Sequence, residues 1–191
     1  MLPMSPESMQ TIIHHLIHSL EPFDSIETDH ITFTNKWISS GAPLFRIHKP
    51  AIPDTHLVSY FLLIDPTTNK LLLVDHKKSG LWLPAGGHIE PEEHPKETVK
   101  REVVEELGIE ADFLHDDPIF LTVTETVGQT AGHTDVSLWY ILKGSATSSY
   151  DFDSSEFKKI EWFSPQEIPY HRSDPHLKRC LLKLTSLNYL K

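Results

Sequence analysis

The stretch GGHIEPEEHPKETVKREVVEELGI, residues 86–109, constrains the fold more tightly than any other part of the chain. Pro95 suits a first helical turn, where its missing amide proton is no loss, and Glu97 favours the positive N-terminal end. Gly108 suits the left-handed stop after Leu107. The spacing predicts a helix over 95–107. At about 100° per residue from Val99, Val103 falls near 40° and Leu107 near 80°, while Glu105, Glu102 and Glu106 fall near 240°, 300° and 340°. One arc is apolar and faces a sheet. The adjoining arc, about 100° wide, carries three carboxylates. Like charges so placed cost about a few tenths of a kcal/mol per pair on an exposed helix. A divalent cation would turn that cost into a gain, because hard cations want clustered carboxylate oxygens. A solvated acidic face is the other reading, and the helix alone does not choose between them.

The surrounding pattern is that of an α/β fold with a mixed sheet and helices on its faces. Strand-like runs are read at 57–65 and 70–76, joined by the turn-like PTTN, and at LWLPAGG (81–87) ending in a loop. Two more, 119–127 and 135–144, flank the Gly-containing GQTAGHT and are expected to form a hairpin, and KKIEWFS (158–164) is a further strand. SPQEI is expected to start a short helix. Asp174-Pro175 is expected to start a last one, with Leu177, Leu181 and Leu184 on one side. At the other end, residues 5–20 read as a helix capped by Ser5, with Pro6 in its first turn. Met9, Ile12, Ile13, Leu16, Ile17 and Leu20 form its apolar stripe, a surface for packing on the main domain, for a homodimer contact or for a cap over the site. Residues 21–56 show few periodic signals; Trp37, Phe45 and Arg46 either line a pocket or pack.

Composition removes several function classes. A formal net charge of -10 makes a poor partner for polymeric nucleic acid, which needs a basic face. No apolar run reaches the roughly 18 residues of a membrane span, and the N-terminal stretch lacks the basic region of a secretory signal, so no membrane partner and a cytoplasmic setting are expected. Cys180 is the single cysteine, which excludes an internal disulfide and a cysteine-rich zinc site; it is expected to pack in the last helix. The 13 histidines are scattered, with His14-His15 the only adjacent pair, and no tract suggests a metal-binding tail.

The spacing of the whole segment is more specific than its helix. Gly87, five residues, Glu93, seven residues, then Arg101-Glu102-Val103-Val104-Glu105-Glu106-Leu107-Gly108-Ile109 resembles the Nudix box with every fixed position filled. Seven specified residues match by chance roughly once in 10⁸ to 10⁹ start positions. The resemblance extends from about Leu57 to Phe163. It implies an α/β/α sandwich over 57–191, with 1–56 as a helical extension packed on it, and hydrolysis of a nucleoside diphosphate linked to another moiety, with Mg²⁺ or Mn²⁺.

By the same resemblance, Glu105 and Glu106 are metal ligands. Glu102 is a further ligand or the base that activates water, and the Gly86 carbonyl completes the shell. Arg101 and Glu93 pair as a strut that orients the ligands. A further carboxylate on a later loop is assigned to Glu156, with Asp153 and Glu161 as alternatives. His88 and His133 are candidate substrate contacts, His133 being equally readable as an exposed loop histidine. Tyr60, Trp82 and Trp139 are candidates for stacking on a base, or core residues. A nucleotide sensor without turnover is the alternative function. An isomerase on the same scaffold would need a cysteine near the site, which Cys180 does not supply.

Overall fold

The computed structural model describes residues 8–49 and 51–191. Its elements run α1 (Met9–His18), α2 (Ser25–Ser39), β1 (Thr55–Asp65), β2 (Lys70–His76), β3 (Trp82–Leu83), β4 (Ala85–His88), α3 (Pro95–Leu107), β5 (Phe120–Glu125), β6 (Thr134–Lys143), β7 (Phe157–Phe163) and α4 (Leu177–Ser186). The seven strands form one mixed sheet in the order β3-β2-β1-β6-β5, with β4 added on β1 and β7 on β2. β1 organises it. One edge of this 11-residue strand runs parallel to β6, and the other pairs antiparallel with β4 along its first half and with β2 along its last residues.

Alternation along β1 separates two apolar layers, as the pleat requires. Leu57, Phe61 and Leu63 join Val99, Val103 and Leu107 of α3 on one face. Leu62 and Ile64 join Leu177, Cys180, Leu181 and Leu184 of α4 on the other. Helices therefore cover both faces of a mixed sheet, the α/β arrangement expected. Full burial of Val99, Val103 and Leu107 is worth roughly 1.5–3 kcal/mol each and fixes which side of α3 meets the sheet.

The stripe on the first helix is spent inside this chain: Ile13, Ile17 and Leu20 are buried in the α3-side layer and Leu16 is buried too. Ser5 and Pro6 lie outside the described residues, and the cap observed is Ser8, whose hydroxyl accepts from the Thr11 amide at 3.2 Å.

Residues 21–56, which show few periodic signals in sequence, hold the 15-residue α2. The buried residues of α2 are Glu27, Thr34 and Ile38, so its inner face is largely polar and gives no apolar period. SPQEI does not start a helix. Ser164 binds Glu167 through its hydroxyl at 2.7 Å as a cap would, but Pro169 disfavours helical backbone at Ile168, and only a 3-10 turn follows at Tyr170–Arg172. Among the described residues, no helix is long and apolar enough to cross a membrane.

Candidate active site

α3 is built as its sequence dictates. His94 serves as the cap, its Nδ1 accepting from the Lys96 amide at 3.1 Å, Pro95 opens the first turn, and Gly108 closes the helix at φ 66°. With Val99, Val103 and Leu107 turned to the sheet, the carboxylate arc faces the β4 segment. Two glycines allow the approach. Gly86 sits at φ 141°, and a Cβ there would lie 2.2 Å from the Ser59 carbonyl oxygen. At Gly87 a Cβ would lie 2.0 Å from Oε1 of Glu102. The Gly86 amide donates to Oε2 of Glu106 at 2.8 Å.

Arg101 occupies the middle of the group. It pairs with both oxygens of Glu93 at 2.9 Å, donates to Oε1 of Glu102 at 2.6 Å and to the His88 carbonyl at 3.2 Å, and stands 3.5 Å from Glu105. Glu93 is held further by the Thr98 hydroxyl at 2.8 Å. Burial pushes the Glu93 carboxyl up, but the Arg101 and Thr98 hydrogen bonds outweigh it and hold it below the usual range. The Glu93 hydrogen bonds in turn raise Arg101, which stays charged.

The remaining carboxylates are held at a cost. Burial raises Glu102 above the ordinary value, with the charges of Glu105 and Glu156 adding to it against Arg101. Glu106, only 6% exposed, is raised well above by burial and then by Glu102, Glu156 and Asp153, against the single Gly86 hydrogen bond. Glu105 is the open member, its side chain 59% exposed. Glu156 stands on the loop before β7 and bears electrostatically on Glu102 and Glu106. The Asp153 amide donates to the Glu106 carbonyl at 2.9 Å, which ties that loop to α3. Glu161 is instead paired with Lys159 at 2.8 Å on an exposed part of β7. An all-oxygen set with two raised, half-compensated carboxylates suits a hard divalent cation, which would supply the missing positive charge.

A second constellation was not foreseen. His56 lies opposite Asp135 in the β1–β6 register, His88 opposite Val58 in the β1–β4 register, and His133 two residues before Asp135. The register turns His56, His88, His133 and Asp135 to the α4 side, whereas Ser59 faces α3 and donates to the Pro95 carbonyl at 3.0 Å. Ligand-type atoms of the four residues all lie within 4.8 Å of one another. Among the described residues, no other set of three or more His, Cys, Asp or Glu side chains converges this tightly, the box carboxylates included. His133 is therefore not an exposed loop residue; its side chain is 10% exposed. Burial pushes His88 down to about 3. Trp82 and Trp139, candidates for base stacking, are both buried in the α4-side layer, where Tyr60 packs edge-on against Trp139 at 5.3 Å.

Comparison with known families matches residues 55–184 to the NUDIX domain. The chain belongs to the Nudix family. A MutT-like protein of Streptomyces ambofaciens is 26% identical over 129 residues, 68% of this chain and 77% of that one. Among solved structures, a NUDIX-family hydrolase of Clostridium perfringens superposes with a TM-score of 0.54 at 23% identity, over 69% of this chain and 97% of the other. A MutT protein of Methanosarcina mazei Go1 gives 0.55 at 20%, over 70% and 95%. The likeness to these structures is one of Nudix fold. The match begins at residue 55, so α1 and α2 precede the part of the chain that defines the family.

Proposed function

We propose that this Nudix protein hydrolyses the diphosphate linkage of a nucleoside triphosphate or nucleoside diphosphate derivative, by water attack and with Mg²⁺ or Mn²⁺. The observation that carries the proposal is the complete box folded so that Glu102 and Glu106 are buried and undercompensated beside Gly86 and Gly87. The cation would be held by Glu105, Glu106, Glu102 and the Gly86 carbonyl; when bound it neutralises diphosphate charge and acidifies water. Arg101, locked bidentately by Glu93, holds Oε1 of Glu102 and leaves Oε2 to accept a proton from the attacking water. Glu105, exposed on the open side of the group, would hold the cation where a diphosphate can reach it. Glu156, and Asp153 behind it, add negative charge from the opposite loop. Water is the nucleophile: Cys180, the lone thiol, is fully buried in the α4-side layer.

The test is a panel of nucleotides with Mg²⁺, following release of phosphate and pyrophosphate. The proposal expects turnover of at least one of them and a loss of at least about 10²-fold in Glu102→Gln. Tight nucleotide binding without turnover would instead support a sensor, and wild-type turnover in Glu102→Gln would reject the role given to that residue.

A further inference from the structure

We propose that His56, His88, His133 and Asp135 form a second metal site, distinct from the box carboxylates and suited to a Zn²⁺-class transition metal. The donors are three imidazoles and one carboxylate, the nitrogen-rich set that borderline-soft ions prefer to Mg²⁺. His56, His88 and Asp135 come from three strands of one sheet, a rigid scaffold, and His133 immediately precedes β6.

Their unmet bonding capacity points inward. His56 is fully buried, and its Nδ1 is 2.8 Å from the Pro53 carbonyl. A carbonyl only accepts, so Nδ1 carries the proton and Nε2 presents a lone pair to the cluster. That Nε2 has no hydrogen-bond partner, and neither has Nε2 of His88 nor Oδ1 of Asp135, although all three atoms are buried. Nε2 of His56 and of His133 lie 3.3 and 3.4 Å from Oδ1 of Asp135, close but not aligned for hydrogen bonds. Those separations equal the edge of a tetrahedron about an ion with ligands at roughly 2.0–2.1 Å. His133 Nδ1 contacts the Thr126 hydroxyl at 3.1 Å, which fixes the ring as outer-shell partners do for metal-bound histidines. Buried polar atoms normally find partners, and three orphans around one point are what an absent cation leaves.

An entry path exists. A cleft of about 280 Å³, lined by Asp54, Glu125, Thr126, Gly132, His133 and Thr134, reaches the His133 side of the cluster. Asp54 and Glu125 are exposed and place negative charge on its wall. Arg46 opposes a cation there, its charge acting on His88. An anion is the other ligand that buried histidines take, but a carboxylate among the donors makes the set one for a cation.

The experiment is spectroscopic, on the full chain freed of metal with chelator. Co²⁺ is titrated in excess Mg²⁺, which saturates the oxygen site, and visible absorption reports tetrahedral nitrogen-rich coordination. One Co²⁺ per chain with intense bands is expected, displaced by Zn²⁺, retained in Glu105→Gln, and weakened by at least about 10²-fold in His133→Ala and in the near-isosteric Asp135→Asn. Circular dichroism checks that both variants are folded. The proposal is overturned if only weak Co²⁺ binding that Mg²⁺ displaces is seen, or if folded His133→Ala and Asp135→Asn bind Co²⁺ as wild type does.

Discussion

At the scale of residues, two adjacent glycines do different work. Added at Gly86, a Cβ meets backbone: the Ser59 carbonyl at 2.2 Å and the Tyr60 Cα at 2.9 Å, at a φ of 141° that L side chains rarely adopt. Added at Gly87, it meets the far end of the Glu102 side chain, which can rotate away. Gly86→Ala is therefore expected to cost stability, by about 2 kcal/mol or more in a denaturant titration. Gly87→Ala is expected to keep near-normal stability and lose at least about 10-fold in kcat, because it displaces the carboxylate proposed to act on the water. If Gly87→Ala lowers stability as much as Gly86→Ala does, the contrast drawn between them is wrong. The box was readable at this scale because its chemistry is local: Gly86 to Ile109 is one β–loop–α unit. The histidine site was not. Its members sit at 56, 88, 133 and 135, and only the β1–β4 and β1–β6 registers bring them together.

At the scale of elements, the same contrast separates α3 from α2. α3 announces itself through Pro95, Gly108 and the Val99–Val103–Leu107 stripe, which are short-range signals. The buried face of α2 carries a glutamate whose partner is 156 residues away: Lys183 of α4 donates to Oε1 and Oε2 of Glu27 at 2.9 and 3.1 Å. Glu27 also accepts from the Phe23 amide at 2.7 Å and, at 3.3 Å, from the Leu121 amide of the edge strand β5. It thus covers part of an edge that would otherwise be open to pairing. The signal that was available is Asp24-Ser25-Ile26-Glu27, a capping-box spacing, with Oδ1 of Asp24 accepting from the Glu27 amide at 2.8 Å. Removing one partner of a buried pair strands the other, so Glu27→Ala should destabilise the chain by about 3–5 kcal/mol in a urea titration. A change below about 1 kcal/mol would mean that the pair is not buried in solution.

At the scale of the molecule, α1 and α2 are bound to the Nudix domain at both ends of its sequence, apolar residues into the α3-side layer and ion pairs onto α4. Arg179 of α4 grips Asp24 with two hydrogen bonds, Nε to Oδ2 at 2.7 Å and Nη2 to Oδ1 at 2.5 Å. The Arg179 hydrogen bond is the largest cause holding Asp24 at about 2, below its ordinary 3.8. A depressed carboxyl contributes stability above its unfolded pKa and loses it as pH falls through the folded one. Wild type should therefore exceed Arg179→Ala by about 1 kcal/mol at pH 5, with the gap closing between pH 4 and 2. A gap that persists unchanged at pH 2 would assign the effect to packing. The layered sheet was readable from the order of strand-like runs and helical segments. The role of residues 8–54 was readable only in the α1 stripe, since the remaining attachments are polar and distant in sequence.

The proposed chemistry requires a divalent cation held among Glu102, Glu105 and Glu106 against a diphosphate. Calorimetric titration of Mn²⁺ into protein with a nucleotide that it hydrolyses only slowly tests it most directly, comparing wild type with Glu105→Gln and Glu106→Gln. Uptake is expected in wild type, weakened by at least about 10-fold in each variant. Equal uptake in all three, or none in wild type, would contradict it.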